Sequence, residues 1–252
     1  MPDTVVIAVL MALLGLIIGS FVAAVTVRLP RDEDFVMGRS RCMSCERPLA
    51  PWHLVPVFSW LVQRGRCGWC GAPVSPRYIL IELAAGGVGV WASLAGSDGV
   101  MIGASAVLGW QLLLIAIIDA ENFWLPDILT WPLMATGLGA SALISQGWPL
   151  ESLIGLVVGF TLLWGMAWLY KRVRGRDGLG GGDPFLFAGA GVWVGWMGLP
   201  SVLLWACAVG FSLVLTVLIT RGRVSGTDRL PFGSFLCVGI WLTWLYGPLG
   251  VG

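Results

Sequence analysis

The stretch VMIGASAVLGWQLLLIAIID, residues 100–119, decides the fold. It runs without a charge until Asp119, which follows Ile117 and Ile118. About 20 apolar residues are what a helix needs to cross the hydrocarbon core of a bilayer. An acid at the end of such a run is costly at membrane depth and marks a functional site by default. A second acid has the same setting. Asp183 closes Gly180-Gly181-Gly182 and precedes another apolar run. Glycines at those positions let backbone approach a substrate closely.

Outward from this stretch the pattern repeats. The chain has 252 residues, 57% hydrophobic and only 12% charged, where a soluble domain carries about 25% charged residues. We read eight spans, at residues 4–27, 78–96, 100–118, 128–145, 153–170, 185–197, 201–220 and 232–246. The first has no Lys or Arg before it and is long, so it reads as a span and not as a cleaved signal. The expected fold is an all-α polytopic membrane protein of about eight transmembrane helices. A small cytoplasmic domain is expected between helices 1 and 2. Residues 1–97 form an N-terminal region holding span 1, a loop at 28–77 and span 2. Residues 98–252 form a membrane core of spans 3 to 8.

Charge placement sets the expected orientation. All 15 Lys and Arg fall in three loops: residues 28–77, residues 171–176, and Arg221, Arg223 and Arg229. These are alternate loops, and basic loops stay in the cytoplasm. Both termini are therefore expected outside, with Asp119 and Asp183 at the cytoplasmic face. Lipid avoidance alone explains charged loops but not their alternation. The run from Lys171 to Arg176 suits lipid headgroups. Many of the 15 Trp, such as Trp52, Trp60, Trp124, Trp131, Trp148 and Trp196, lie near span ends, as interfacial anchors do. No nucleic-acid module is visible.

Four of the six cysteines form two C-x-x-C pairs, Cys42/Cys45 and Cys67/Cys70. Paired knuckles at this separation read as a four-thiolate zinc site. A reducing compartment argues against disulfides, and a domain this small needs a staple. Zinc is thus expected to be structural. Cys207 and Cys237 stand singly in apolar spans, as small hydrophobes do. His53 is the sole histidine and reads as an ordinary loop residue.

Asp119 and Asp183 suit one chemistry in particular. Two neighbouring carboxylates cannot both ionise readily, so one serves as base toward a water and the other as acid toward a carbonyl. Asp127 follows Pro126 and reads as a helix cap, while Asp119, Glu121 and Asp127 give that loop an acidic character suited to a basic peptide. Glu82, early in span 2, either contacts a cofactor or substrate or pairs with a loop arginine. Two rival classes remain. One is a non-enzymatic membrane assembly factor docking through the cysteine loop. The other is a proton-coupled transporter using the two aspartates, although no inverted repeat is evident.

The ordered motifs resemble one family. They are Gly19-Ser20-Phe21 with Arg28-Leu29-Pro30, both C-x-x-C pairs, Pro56-Val57-Phe58-Ser59-Trp60, Arg77-Tyr78, Glu82, Ile118-Asp119, Leu125-Pro126-Asp127, Gly178-Leu179-Gly180-Gly181-Gly182-Asp183 and Pro231-Phe232-Gly233. This set is similar to the bacterial type IV prepilin peptidases, membrane aspartic proteases of the GxGD type. The resemblance implies an inner-membrane endopeptidase with Asp119 and Asp183 as catalytic pair, supported by the Gly180–Gly182 loop. Its implied substrates are the leaders of type IV prepilins or type II secretion pseudopilins. It also implies N-methyltransferase activity with S-adenosylmethionine on the new N-terminus. The chain departs from the family's usual pattern at Ala23, where asparagine is common, and at Pro184-Phe185-Leu186, where a lysine is missing.

Overall fold

Apolar side chains cover the long helices on all sides, and many face outward: Val5, Leu10, Leu13 and Ile17 on the first helix are all exposed. A helix that is apolar all round belongs in a protein core or a membrane. The computed structural model describes residues 2–35, 38–145, 148–176, 178–221 and 230–250. These residues form helices α1 (Pro2–Arg28), α2 (Phe58–Val62), α3 (Arg77–Ala95), α4 (Gly99–Asn122), α5 (Asp127–Ser145), α6 (Leu150–Arg174), α7 (Asp183–Arg221) and α8 (Phe232–Tyr246). Among the described residues there is no strand, only two isolated bridges. Six of the helices are long and apolar enough to cross a membrane, and α8 is a shorter apolar helix.

The sixth and seventh expected spans share one element. The expected spans at 185–197 and 201–220 leave a break near Pro200, but α7 runs through it for 39 residues. At 1.5 Å per residue this is about 58 Å, roughly twice a hydrocarbon core. The break instead lies at Gly195, whose φ of 68° and ψ of 172° are not helical. Only glycine adopts that conformation readily. The two halves of α7 thus supply two apolar segments, and with α8 the described residues carry eight apolar helical segments. Arg223 and Arg229, part of the third basic loop, lie outside the described residues.

The chain divides into two compact units, Met1–Gly96 and Ser97–Gly252. In the first, α1 and α3 meet backbone to backbone. A Cβ at Gly15 would strike the Ala85 carbonyl, and one at Gly89 the Met11 carbonyl. Small residues permit this approach, which supplies van der Waals contact where lipid removes the hydrophobic drive between helices. At the loop end, Arg28 donates to the carbonyls of Gly38 (2.7 Å) and Arg39 (3.0 Å). Arg77 donates to the Thr26 hydroxyl at 2.8 Å. Glu82 is buried and accepts the Val57 N–H at 2.7 Å. Glu82 thus takes a loop backbone N–H.

In the second unit, α4 begins at Asp98, whose Oδ1 accepts the N–H groups of Val100 (2.9 Å) and Met101 (3.0 Å). An N-cap carboxylate satisfies donors the helix itself cannot. The close pair here is Gly155 on α6 with Gly191 on α7, again carbonyl against Cα. Leu133, Ile118, Leu186, Phe187, Leu236 and Ile240 fill the core. Trp193 donates its indole N–H to the Leu133 carbonyl at 2.9 Å. Trp110, Trp193 and Trp241 are buried and are core residues, whereas Trp124, Trp131, Trp148 and Trp196 are exposed as anchors should be.

Candidate active site

Three chain segments converge in the second unit: the end of α4 with the loop that follows, the glycine loop before α7, and the start of α8. Asp119 lies one turn before the end of α4 and is 5% exposed; Asp183 opens α7 and is 4% exposed. Burial of both is notable because carboxylates are almost never buried unpaired.

Leu125 is the piece that joins the segments. A Cβ at Gly182 would stand 2.5 Å from Leu125 Cβ and 2.6 Å from its carbonyl oxygen. A Cβ at Gly233 would stand 2.6 Å from Leu125 Cδ1 and 3.1 Å from Asp119 Cγ. Glycine at both positions lets the two loops close on the same leucine and brings α8 against Asp119. Earlier in the loop, Gly178 rests on the Tyr170 ring.

Each carboxylate accepts a backbone N–H through Oδ2, and the Gly233 N–H also reaches the Asp119 carboxylate. Oδ2 of Asp183 accepts the Gly180 N–H at 2.9 Å. Oδ2 of Asp119 accepts the Ser234 N–H at 2.7 Å and lies 3.0 Å from the Ser234 hydroxyl oxygen. The two carboxylates lie within each other's electrostatic reach, and buried Cys237 lies within reach of both. Asp183 does not cap its own helix. The Gly182 carbonyl accepts the N–H groups of Phe185 and Leu186, so Gly182 takes the cap position. Asp183 turns back to the glycine loop instead, because the loop curls its Gly180 N–H toward the carboxylate. Pro184 follows within the first turn, where its missing N–H is no loss. Asp127, likewise, is the first residue of α5 and is exposed, as is Glu121.

In the first unit the four cysteines come together. Their Sγ atoms lie within 4.8 Å of one another, with Cys42 and Cys70 at 3.9 Å, and could hold a metal ion. The two knuckles repeat one backbone pattern. Cys42 N–H donates to Arg47 O and Cys67 N–H to Ala72 O; Cys42 O accepts from Glu46 and Cys67 O from Gly71. Glu46 and Gly71 occupy the same left-handed position, with φ of 56° and 69°. The backbone N–H groups of Cys45 and Ser44 hold the Cys42 thiol low, at about 6, while, against the Ala72 N–H, burial and the neighbouring thiols push Cys70 up to about 11, so the crowded thiols compete for one proton-poor position. His53 stands edge-on to Trp69, 6.2 Å between ring centroids, and its Nδ1 is buried without a hydrogen-bond partner among the described residues.

Sequence reasoning stopped at Gly233 and missed Ser234. Its only signal was adjacency to Pro231-Phe232-Gly233, since a serine opening an apolar helix ordinarily reads as a cap.

Fold and site together define a multi-pass helical membrane protein with a buried carboxylate pair, one at the end of α4 and one after a glycine-rich loop, and a four-thiol knuckle domain. The chain belongs to the type IV leader peptidase family: residues 106–215 match that family, and residues 13–95 match the bacterial peptidase A24 N-terminal domain. Among curated relatives, the prepilin leader peptidase/N-methyltransferase of Stutzerimonas stutzeri is 36% identical over 93% of this chain and 89% of its own length. Relatives of the same description in Pseudomonas aeruginosa (34%, over 93% of this chain and 89% of theirs) and Dichelobacter nodosus (37%, over 89% and 77%) are similarly close. No solved structure matches the chain.

Proposed function

We propose that this protein is an endopeptidase that removes the leader of type IV prepilins or type II secretion pseudopilins, with Asp119 and Asp183 as its catalytic pair. The single observation carrying this reading is the convergence of two buried carboxylates around Leu125, each held through Oδ2 by backbone N–H. Oδ1 of each is then the oxygen available to the reaction. One carboxylate takes a proton from water as the water oxygen bonds to the scissile carbon. The other gives its proton to the carbonyl oxygen. When the C–N bond breaks, the first carboxyl gives its proton to the leaving amine while a diol hydroxyl gives its proton back to the second carboxylate as the product carbonyl forms, and the pair returns to its starting state. The buried setting excludes bulk water and strengthens each of these interactions.

The alternate basic loops support a bacterial inner-membrane protein with its active face and knuckle domain in the cytoplasm and both termini outside. The acidic run of Asp119, Glu121 and Asp127 suits a basic leader. Residues 1–97 and 98–252 divide the labour, the core cutting and the N-terminal region serving the cysteine domain.

Zinc fits the four thiols. Sulfurs 2.3 Å from a shared tetrahedral centre stand about 3.8 Å apart, close to the 3.9 Å between Cys42 and Cys70. Cys42, Cys45, Cys67 and Cys70 would hold it as a structural staple. The names of the relatives also support N-methylation of the new N-terminus. S-adenosylmethionine would supply the methyl group as a sulfonium. Buried Glu82, 8% exposed and with one oxygen on Val57, is the acid of the N-terminal unit suited to that cation.

Co-expression with a prepilin, followed by mass spectrometry of the mature N-terminus, tests both activities. A shortened subunit is expected, with one added methyl if the second activity operates. An intact leader beside abundant, inserted protein would refute the protease reading, and both Asp119→Asn and Asp183→Asn must abolish cleavage. A cut but unmodified terminus would leave a protease alone.

A further inference from the structure

The Ser234 hydroxyl is placed differently from those of Ser212, Thr216 and Thr220 on α7. Ser212, Thr216 and Thr220 on α7 each return their hydroxyl to a carbonyl one turn back on their own helix, the usual fate of such side chains. The Ser234 hydroxyl instead crosses to α4. It lies 3.0 Å from Asp119 Oδ2 and 2.9 Å from the Ala116 carbonyl oxygen. One hydroxyl carries one proton, so it can donate to only one of these at a time. The Ser234 N–H, at 2.7 Å from the same Oδ2, can only donate.

We infer that Ser234 is a positioning residue for Asp119, its N–H and hydroxyl together occupying Oδ2 so that Oδ1 is the oxygen that takes and releases the reacting proton. The inference rests on the reading of Asp119 as half of the catalytic pair. While Asp119 is ionised, Ser234 donates twice to Oδ2, and bonds to a charged acceptor are the stronger kind. Once Oδ1 has taken the proton broken from water, Oδ2 is an uncharged carbonyl oxygen. The hydroxyl then has an acceptor of comparable strength at Ala116 and can turn to it. No proton leaves Ser234 in either state. Gly233 makes the arrangement possible, since it is the residue that lets the head of α8 approach Asp119.

The test is kinetic, on the full-length protein in phospholipid nanodiscs with a prepilin substrate. Ser234→Ala keeps the N–H and loses the hydroxyl. It should lower kcat about tenfold, the effect of losing one charge-assisted hydrogen bond, with KM unchanged. Ser234→Thr should restore kcat to within about threefold of the wild type, since it returns a hydroxyl. In an Asp119→Asn background, Ser234→Ala should leave prepilin binding unaltered. A wild-type kcat for Ser234→Ala, or a Ser234→Thr variant as slow as Ser234→Ala, overturns the inference. So does a rise in KM that accounts for the loss. If Asp119→Asn and Asp183→Asn both still cleave, it is the catalytic pair itself that falls. If those are inactive and Ser234→Ala is fully active, only the role of Ser234 falls.

Discussion

Alanine at Gly182 and alanine at Gly233 each add one methyl group beside Leu125, yet they should differ in effect. At Gly182 the added carbon would stand 2.5 Å from Leu125 Cβ and 2.6 Å from its carbonyl oxygen. Nonbonded carbons rest at about 3.5 Å or more, so the loops must separate by roughly 1 Å. Neither obstructing atom can rotate away, because one is backbone and the other is fixed to it. The glycine loop and Asp183 would move with the displacement. A misplacement of this size costs on the order of a hundredfold in rate. At Gly233 the worst contact is with Leu125 Cδ1, at 2.6 Å, the tip of a side chain that can turn. An off-rotamer leucine costs about 1 kcal/mol, so a loss of about fivefold is expected. Leu125→Ala removes Cδ1 but keeps Cβ and the carbonyl. Measured against Leu125→Ala alone, it should therefore relieve Gly233→Ala and leave Gly182→Ala impaired. The assay is the initial rate of leader removal in nanodiscs, normalised to inserted protein. Relief of both variants by Leu125→Ala, or a wild-type rate for Gly182→Ala, would refute the wedge geometry.

Asp119→Asn and Asp183→Asn should each lower cleavage by about 10²–10⁴-fold or more while insertion, read by protease accessibility, is unchanged. Purified protein should carry about one zinc per chain by elemental analysis; serine at Cys42 and Cys67 should abolish it, and chelation should loosen the knuckle domain and reduce methylation more than cleavage. Val57 sits at φ 61° and ψ −53° with the Phe58 N–H bonded to the Pro56 carbonyl, a strained turn for a β-branched residue. Val57→Gly should therefore stabilise the N-terminal unit by about 1 kcal/mol in a thermal-shift measurement, and an unchanged or lower midpoint would count against that strain. The Met101 N–H, with Ser97 and Val100, holds the Asp98 carboxylate below its ordinary value. Its capping contribution is thus present above the ordinary carboxylate range and lost as pH falls through the depressed value, which the Val100 and Met101 amide resonances should report.

What the residues determined alone was whatever depends on composition and local spacing. Apolar length forecast the helices, because a bilayer leaves backbone polar groups no partner outside a helix or barrel. Two C-x-x-C pairs forecast the thiol cluster, because four thiolates and a turn suffice to define it. Asp119 and Asp183 stood out because charge is costly in apolar runs. Tertiary structure decided the rest. Nothing local in Gly182, Leu125 and Gly233 says that two glycines close on one leucine, since the close approach exists only between segments far apart in the chain. The break of α7 falls at Gly195 and not at Pro200, and a span pattern in the sequence does not say which of the two ends the helix. Ser234 was invisible for the same reason. Its meaning is a hydrogen bond to a carboxylate 115 residues away, and a hydroxyl becomes a partner of that carboxylate only when packing carries the head of α8 to the end of α4.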